Sequence, residues 1–265
     1  MGVEDPPPRR EDLTPVTGSD HGVWSAALMK AVILAAGVGS RLAPLTNDRP
    51  KALVEVAGRS FLFRQLDRLA EAGIPSEDVV IVTGYKAEAI DAAVEQGGYK
   101  CTRVFNNHYA DWQNFYSLLV AKDAVAGHDF LQLDGDVILD GKLLPKVIAA
   151  AGDAVLAVDV RPDLDAETMK ARVVGTRMTA LDKKLDPATC AGEYIGITKL
   201  TAATAQAVFE DLARFEREGL THEYYDHAYH RLSDRYAFEI VDVHDCKVIE
   251  IDDRADLARA EALLA

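Results

Sequence analysis

A glycine-rich loop followed by two cationic side chains is the part of the sequence best suited to chemistry. Gly37, Gly39 and Arg41 come directly after the apolar run 31–36, and Lys51 follows further along the chain. Glycines let the backbone approach a ligand closely, so that several N–H groups can converge on a polyphosphate, and arginine and lysine supply charge-assisted donors. The spacing matches neither the G-x-G-x-x-G motif of dinucleotide-binding proteins nor the G-K-[ST] ending of a P-loop. The pattern therefore predicts a local binding site for phosphate groups.

Two acidic motifs offer oxygen ligands for a hard cation. Asp134 and Asp136 follow one apolar run, and Glu250 and Asp252 lie at the end of another. In an extended strand, residues two positions apart project from the same face, so Glu250 and Asp252 can act as a pair that completes a Mg²⁺ shell with Asp136. Two alternatives stay open. Asp134 could be a residue that only supports a metal ligand, or a simple turn residue. Asp252 or Asp253 could merely cap the following helix.

The motifs together resemble the signature of the nucleotidyltransferase family that activates sugar phosphates and related phosphate esters. Residues 34–56 contain L-A-A-G-x-G-S-R-L followed by P-L-T and P-K-A-L-V-E-V, and the resemblance extends over nearly all of residues 30–265. The E-x-D pair is similar to that of the choline-phosphate, inositol-phosphate and phosphonate cytidylyltransferases. The resemblance implies CTP as the nucleotide and Mg²⁺ as the cofactor. It assigns catalytic roles to Arg41, Lys51 and Asp136, and metal-ligand roles to Asp136, Glu250 and Asp252.

The same resemblance assigns nucleotide-binding residues. Residues 105–118 are similar to the N-x-x-Y…N-N-x-x-S-L stretch of these cytidylyltransferases, with Gln113 in place of the first Asn of the later pair. Residues 82–85 resemble the V-x-G-Y strand end beside the nucleotide pocket. The implied nucleotide-binding residues are Leu34, Ala35, Ala36, Gly37, Gly39, Ser40, Arg41, Lys51, Gly84, Tyr85, Asn114 and Ser117.

Acceptor-binding residues are implied in two further segments that resemble the family. Lys184 belongs to a lysine-bearing segment expected near the acceptor phosphate, and Glu193 and Tyr194 belong to an E-Y-I-G segment. Glu193 is expected to face an alcohol, amine or trimethylammonium group, with tyrosines as aromatic walls. For Lys184 a solvated turn position is an equally good interpretation, and for the tyrosines so is ordinary core packing.

The implied reaction transfers CMP from CTP to a small phosphate or phosphonate acceptor and releases pyrophosphate. Phosphocholine, an inositol phosphate and a 2-aminoethylphosphonate-like compound all remain candidate acceptors. A UTP- or dTTP-dependent sugar-1-phosphate nucleotidyltransferase is the alternative within the enzyme class. Two other classes are disfavoured: a catalytically silent regulatory module would be expected to lose these cations or carboxylates, and a Rossmann-type oxidoreductase would be expected to carry G-x-G-x-x-G.

The histidines of the stretch 221–230 suggest a metal site at first sight. His227 and His230 would lie on neighbouring turns of one helix face. There is, however, no H-E-x-x-H motif and no acidic third ligand at a zincin position. Surface or interface histidines are therefore the favoured interpretation.

The elements that must position these residues alternate between strands and helices. From Lys30 the expected strands are 31–34, 79–83, 103–105 and 130–133, and the expected helices are 61–72, 87–95, 115–125 and 143–151. Beyond residue 160 the rhythm loosens into an antiparallel extension that shapes the second substrate, followed by the final helices. The expected elements there are strands 172–174, 178–181, 193–198 and 248–251 and helices 202–218, 225–232 and 255–264.

This alternation predicts an α/β fold: a Rossmann-like, doubly wound, mostly parallel mixed sheet with helices on both faces. The resemblance implies the nucleotide-diphospho-sugar transferase type. In such folds ligands bind beyond the carboxyl ends of the strands, which is where the motifs lie. We expect one such domain over residues 29–265, preceded by a disordered tail over residues 1–28 that is rich in proline and charge. The sequence leaves open whether translation starts at Met1 or Met29.

Composition excludes several other classes of protein. With 265 residues, 49% hydrophobic and 27% charged, the chain is long and apolar enough for a sizeable core. The net charge of −14 disfavours partners such as nucleic acid or anionic membrane. The three cysteines form no C-x-x-C pair, which favours a cytoplasmic protein, and no apolar run is long enough for membrane insertion. The expected partners are CTP and a small phosphate or phosphonate ester, and self-association into a homo-oligomer is left open.

Overall fold

The computed structural model describes residues 29–264, so the expected tail 1–28 lies outside the described residues. Within this range the strands are β1 (Lys30–Leu34), β2 (Glu55–Val56), β3 (Arg59–Ser60), β4 (Val79–Thr83), β5 (Thr102–Phe105), β6 (Phe130–Asp134), β7 (Val137–Leu139), β8 (Ala154–Val160), β9 (Lys170–Val174), β10 (Arg177–Asp182), β11 (Gly192–Leu200), β12 (Phe238–Asp242) and β13 (Val248–Glu250). The α-helices are α1 (Phe61–Glu71), α2 (Ala87–Gln96), α3 (Phe115–Val120), α4 (Lys122–Val125), α5 (Leu143–Ala149), α6 (Ala202–Arg217), α7 (Tyr225–Leu232) and α8 (Arg254–Leu264).

Nine of these strands form one mixed sheet, in the order β5-β4-β1-β6-β11-β8-β12-β10-β9. The first four pair in parallel, as expected for strands joined by crossover helices. β11 runs antiparallel to both β6 and β8, whereas β12 runs parallel to β8. The predicted α/β mixed sheet is therefore confirmed, and the expected antiparallel extension makes up much of its second half.

Helices cover both faces of this sheet because its strands are apolar on both sides. Along β1, Val32 packs with helices α3, α6 and α7 on one face, and Ala31 and Ile33 pack with α1, α2 and α5 on the other. Such a doubly covered sheet leaves its strand ends as the open places for ligands. Within the described residues, no helix is both long and apolar enough to span a membrane.

The structure contains two interior strands and one helix break that the sequence analysis does not predict. β8 and β12 are absent from the predicted elements, although they lie side by side in the sheet. β8 is almost continuously buried, so it lacks the alternation that identifies a strand, and β12 is short. The helix expected over 115–125 divides at Ala121 into α3 and α4.

A small ribbon outside the main sheet connects two distant parts of the chain. β7 follows directly after β6, and β13 comes from the C-terminal end of the chain to pair with it in antiparallel register. Ile138 and Ile251 anchor the ribbon in a separate apolar cluster that also contains Ala260 of α8. The ribbon therefore brings residues that are far apart in sequence to the carboxyl end of β6.

Candidate active site

A cleft of about 910 Å³ opens at the carboxyl ends of β1, β6, β8 and β12. Gly37, Arg41 and Asn114 line one half of it, and Arg161 and Lys183 line the other. This volume is large enough for a nucleotide together with a small second ligand. The cleft lies where parallel strands of an α/β sheet present their binding loops.

Gly39 fixes the conformation of the loop that follows β1. Its φ of 67° is in the left-handed region, and a Cβ atom there would lie 2.8 Å from Cβ of Lys51. Only glycine adopts this conformation without strain and leaves room for the lysine stem. The Thr46 hydroxyl donates to the Gly39 carbonyl at 2.9 Å and closes the loop. The motif residues Gly39, Thr46 and Lys51 therefore form one packed unit.

The β7–β13 ribbon brings the predicted metal ligands together. Glu250 is in register with Val137, and the Ile251 amide donates to the Asp136 carbonyl at 3.0 Å. As a result, single carboxylate oxygens of Asp136, Glu250 and Asp252 lie within 4.8 Å of one another. The strand ends at Glu250, so Asp252 reaches the cluster from the following turn rather than from the same strand face.

Helix capping is carried by Asp253, which leaves Asp252 available to the cluster. The Asp253 carboxylate accepts hydrogen bonds from the amides of Ala255 and Asp256 at 2.7 and 3.0 Å. The Asp256 carboxylate in turn accepts from the amides of Asp252 and Asp253. These bonds fix the turn in which Asp252 sits.

Two cations balance part of the negative charge of the cluster. Lys51 Nζ donates to Asp136 Oδ2 at 2.6 Å and to Asp252 Oδ1 at 3.0 Å, and an Arg41 guanidinium nitrogen lies 2.9 Å from the same Asp252 oxygen. Burial lowers the pKa of Lys51, but the two carboxylates outweigh it and hold that pKa above its usual value. Burial likewise raises the pKa of Asp252, and Lys51 and Arg41 outweigh it and lower that pKa.

The cluster still lacks positive charge at Glu250. Its carboxyl is accessible from the cleft but crowded by protein atoms, and this desolvation, followed by the charges of Asp136 and Asp252, raises the pKa of Glu250 to about 8. An all-oxygen ligand set of this kind suits Mg²⁺, whose charge would compensate the carboxylates. The residues present therefore fit a divalent cation.

Asp134 lies beneath the cluster and is held by a polar network. Its carboxylate accepts from the Tyr225 hydroxyl at 2.8 Å and from the Gln132 amide at 2.9 Å. Gly196 has a φ of 71°, and a Cβ there would lie 2.5 Å from Asp134 Oδ2, which explains the glycine of the E-Y-I-G segment. Desolvation and the charge of Asp136 raise the pKa of Asp134 well above its usual value. Asp134 thus belongs to a buried polar network close to Asp136.

Most residues expected at the nucleotide lie in or next to the cleft. Leu34, Ala35 and Ala36 end β1 and lead into the loop, and Asn114 accepts a hydrogen bond from the Tyr225 amide at 3.2 Å. Gly84 and Tyr85 lie behind the loop, where the Tyr85 hydroxyl donates to the carbonyls of Thr46 and Asn47. Ser40 begins the short 3-10 turn that carries Arg41.

The structure places Ser117 outside the lining of the cleft. It is buried in α3, and its hydroxyl accepts from the Asn106 side-chain amide at 2.9 Å. The helix turns this hydroxyl toward the end of β5 rather than into the cleft. Gln113, which departs from the family pattern, does line the cleft.

The lysine expected at the acceptor also lies outside the lining of the cleft. Lys184 is exposed in the turn after β10, where its amide donates to Asp182 Oδ1 at 2.8 Å, and it does not line the cleft. Lys183 does line the cleft, with its Nζ 3.6 Å from Glu167 Oε2. Adjacent residues in a tight turn point in different directions, so sequence position alone cannot choose between them.

The other two predicted acceptor residues have different surroundings. Glu193 lies in the cleft and forms an ion pair with Arg161, a residue at the end of β8 that the sequence analysis does not identify. Tyr194 borders the cleft, but its hydroxyl is buried, 2.7 Å from the Thr198 hydroxyl, so it belongs to the polar network below. Recognition of β8 as a strand is the signal that would have pointed to Arg161.

The histidines of the 221–230 stretch do not assemble a metal site among the described residues. His227 Nδ1 lies 2.5 Å from Glu223 Oε2, and neither His227 nor His230 joins a group of three potential ligands there.

Comparisons with known proteins add to this geometry. The chain is 43% identical over 106 residues to a choline-phosphate cytidylyltransferase of Streptococcus pneumoniae, covering 40% of this chain and 44% of the relative. It is 30% identical over 252 residues to a CMP-5'-(3-aminopropyl)phosphonate synthase of Streptomyces rubellomurinus, covering 89% of this chain and 39% of the relative. The alignments thus span less than half of the length of these curated relatives.

A solved structure shares the whole fold. The CTP:phosphocholine cytidylyltransferase of Streptococcus pneumoniae superposes with a TM-score of 0.73 at 28% identity, covering 89% of this chain and 99% of that one. The model of the MobA-like NTP transferase domain matches residues 31–219, which include the glycine loop, Lys51 and Asp136. Because this match extends over well more than half of the chain, the protein belongs to the family of MobA-like NTP transferase domains.

Proposed function

We propose that the protein is a Mg²⁺-dependent cytidylyltransferase that transfers CMP from CTP to a small phosphate or phosphonate acceptor and releases pyrophosphate. The observation that carries this proposal is the cluster of three carboxylates beside Lys51 and Arg41 at the open end of the sheet. The cytidylyltransferases among the relatives support CTP as the nucleotide. The reducing compartment favoured by the cysteines fits such an enzyme in the cytoplasm.

The protein residues contribute positioning and charge. Asp136, Glu250 and Asp252 would hold Mg²⁺, which when bound supplies positive charge to phosphate oxygens. Arg41 has a side chain that is 64% exposed, so its guanidinium is free to turn from Asp252 to the phosphates of a nucleotide. Lys51 is held in place by its packing against Gly39 and stays protonated through its two carboxylate partners. Both cations would offset the negative charge that two phosphorylated substrates bring together.

The reaction needs no covalent enzyme intermediate. An oxygen of the acceptor phosphate forms a bond to the α-phosphorus of CTP, and the bond from that phosphorus to the pyrophosphate oxygen breaks. The acceptor phosphate is already an anion at neutral pH, so no side chain has to remove a proton from it. The cleft would act by holding the two substrates in line.

The proposal is tested by measuring pyrophosphate release with Mg²⁺ and each of the four nucleoside triphosphates. The acceptor panel contains phosphocholine, phosphoethanolamine, inositol 1-phosphate, 2-aminoethylphosphonate and glucose 1-phosphate, with Asp136→Ala as the control. Turnover that needs CTP and is abolished in the variant is the expected result. Turnover with UTP or dTTP and glucose 1-phosphate would instead assign the protein to the sugar-1-phosphate branch.

A further inference from the structure

Asp226 is a buried carboxylate at the cleft with an oxygen that lacks a partner. It is the second residue of α7, its side chain is 5% exposed, and it borders the cleft next to Tyr225. Among the residues that the structure describes, none donates a hydrogen bond to its Oδ1 atom. His227 Nε2 lies 3.9 Å from this atom, beyond hydrogen-bond distance. Buried carboxylates normally have hydrogen-bonding or cationic partners, so we expect a ligand to supply a hydrogen-bond donor to Asp226.

Two other acidic groups in the same half of the cleft have a cationic side chain within 4 Å. Glu193 is paired with Arg161, and Glu167 lies near Lys183. Arg161 and Lys183, two cations of this half of the cleft, thus each lie within 4 Å of a carboxylate other than Asp226. A neutral or anionic ligand group would leave the negative charge of the Asp226 carboxylate uncompensated, whereas a cationic group would compensate that charge.

The acid-base state of Asp226 agrees with this lack of compensation. Burial raises its pKa to about 7, and neither His227 nor Lys183 supplies enough positive charge to restore the usual value, while Asp182 raises it further. A cation bound against the carboxylate would favour its charged form. A positively charged ligand group next to Asp226 would therefore be bound favourably.

We propose that Asp226 binds the protonated amine of the acceptor, so that the enzyme acts on an aminoalkyl phosphate or phosphonate whose nitrogen keeps its N–H bonds. A quaternary ammonium brings the charge but has no hydrogen to donate to the carboxylate. A hydroxyl group brings the hydrogen but no charge. This inference rests on the proposed function, because it specifies the acceptor of the same reaction.

Equilibrium binding of three matched ligands tests the proposal without turnover. Isothermal titration calorimetry is carried out with 2-aminoethyl phosphate, phosphocholine and 2-hydroxyethyl phosphate. The full chain is first saturated with Mg²⁺ and a CTP analogue that has a methylene bridge between the α- and β-phosphorus atoms. The amine is expected to bind at least about tenfold more tightly than either analogue, because it alone offers both a charge and a donor. Equal binding of the three ligands, tighter binding of phosphocholine, or no binding of the amine would overturn the proposal.

Two variants separate recognition from structural support. Asp226→Asn keeps the shape of the side chain but removes its charge, and it is expected to abolish the preference for the amine while leaving the affinity for 2-hydroxyethyl phosphate within about twofold. Asp234→Asn, at the exposed end beyond α7, is the matched control and should keep the wild-type order. A purely structural role for Asp226 would weaken all three ligands equally, which would also overturn the proposal. If Asp226→Asn fails to fold, the order in which the wild-type protein binds the three ligands still tests the proposal.

Turnover then distinguishes this inference from the proposed function. CTP-dependent pyrophosphate release with 2-hydroxyethyl phosphate or inositol 1-phosphate, but not with the amine, would leave the proposed function in place and remove the role of Asp226. Tight, Asp226-dependent binding of the amine without pyrophosphate release from any nucleotide would support the role of Asp226 and contradict the proposed function.

Discussion

At the scale of single residues, Lys51 connects the glycine loop to the acidic cluster. Its stem packs against Gly39, and its ammonium group bridges Asp136 and Asp252 with only 12% of the side chain exposed. A lysine held this way has little rotamer freedom, so its charge stays where phosphates are expected. The position of the ammonium group therefore depends on the absence of a side chain at residue 39.

Gly39→Ala is expected to displace Lys51 and lower activity. The added methyl group would lie 2.8 Å from Lys51 Cβ, and the backbone would be held at a φ of 67° that alanine adopts at a cost of about 1 kcal/mol. We expect kcat/KM for pyrophosphate release to fall by about ten- to a hundredfold.

Gly58→Ala is the matched control for this variant. Gly58 has a similar φ of 73°, but nothing lies within 4 Å of the position of its Cβ. This variant should lose similar stability and keep its activity. Equal activities of the two variants would contradict the role assigned to the contact between Gly39 and Lys51.

Asp226 should make stability depend on pH in a defined direction. Its pKa is about 7 in the folded protein, above the value of about 3.9 in an unfolded chain, so the folded state binds the extra proton between these values. The resulting stabilisation is present below about pH 4 and is lost as the pH rises to about 7, at up to roughly 1.4 kcal/mol for each pH unit. Urea unfolding of the ligand-free protein and of Asp226→Asn between pH 5 and 8 measures this difference. The variant should become more stable relative to the wild type as the pH rises, and a constant difference would contradict the assignment.

At the scale of elements, the β7–β13 ribbon determines whether the carboxylates meet. Asp136 precedes one of its strands, and Glu250 ends the other. Neither strand belongs to the main sheet, so the apolar cluster around Ile251 and Ile138 has to hold the ribbon in register. Packing in this small cluster should therefore influence affinity for the metal.

Ile251→Ala is expected to weaken metal binding as well as folding. Removing a fully buried isoleucine side chain costs about 2–5 kcal/mol and loosens the turn between Glu250 and Asp252. The Mg²⁺ concentration for half-maximal activity should rise several-fold. Ile90→Ala, at a fully buried position in α2 outside the apolar cluster of Ile251, should lose comparable stability without this rise. Equal Mg²⁺ dependence of the two variants would argue against the ribbon as the element that aligns the ligands.

The turn after β10 provides a test with two adjacent lysines. Lys183 lines the cleft, whereas Lys184 is exposed outside it. Lys183→Met should raise KM for the acceptor by about tenfold and change KM for CTP little, because a positive charge that lines the acceptor half of the cleft is lost. Lys184→Met should leave both constants near their wild-type values. The reverse pattern in steady-state kinetics would restore the sequence-based choice of Lys184.

At the scale of the whole molecule, local patterns in the sequence were sufficient for the fold class. The buried run of β1, the strand at β4 and the helices α1 and α7 follow from periodicity and flanking residues, and they match the structure closely. β8 did not follow, because a strand buried on both faces carries no alternation, and neither did β12, which spans only five residues.

The site was predictable only where its residues belong to local motifs. Arg41, Lys51 and Asp136 follow from the residues around them and from the family resemblance. Arg161 and Asp226 stand in no motif, and only the pairing of β8 with β11 and the packing of α7 place them at the cleft. Whether a carboxylate has a cationic partner is a property of tertiary contacts, so a single sequence cannot reveal it.

The most direct test of the central claim is the Mg²⁺ dependence of CTP-driven pyrophosphate release in the wild type, Asp136→Asn and Asp123→Asn. Asp123 is exposed on α4, away from the cluster, and serves as the matched control. The wild type and Asp123→Asn should require Mg²⁺ to the same extent, and Asp136→Asn should lose about a hundredfold or more in kcat/KM while remaining folded. Full turnover of Asp136→Asn, or undiminished wild-type turnover in the presence of a chelator, would contradict the account.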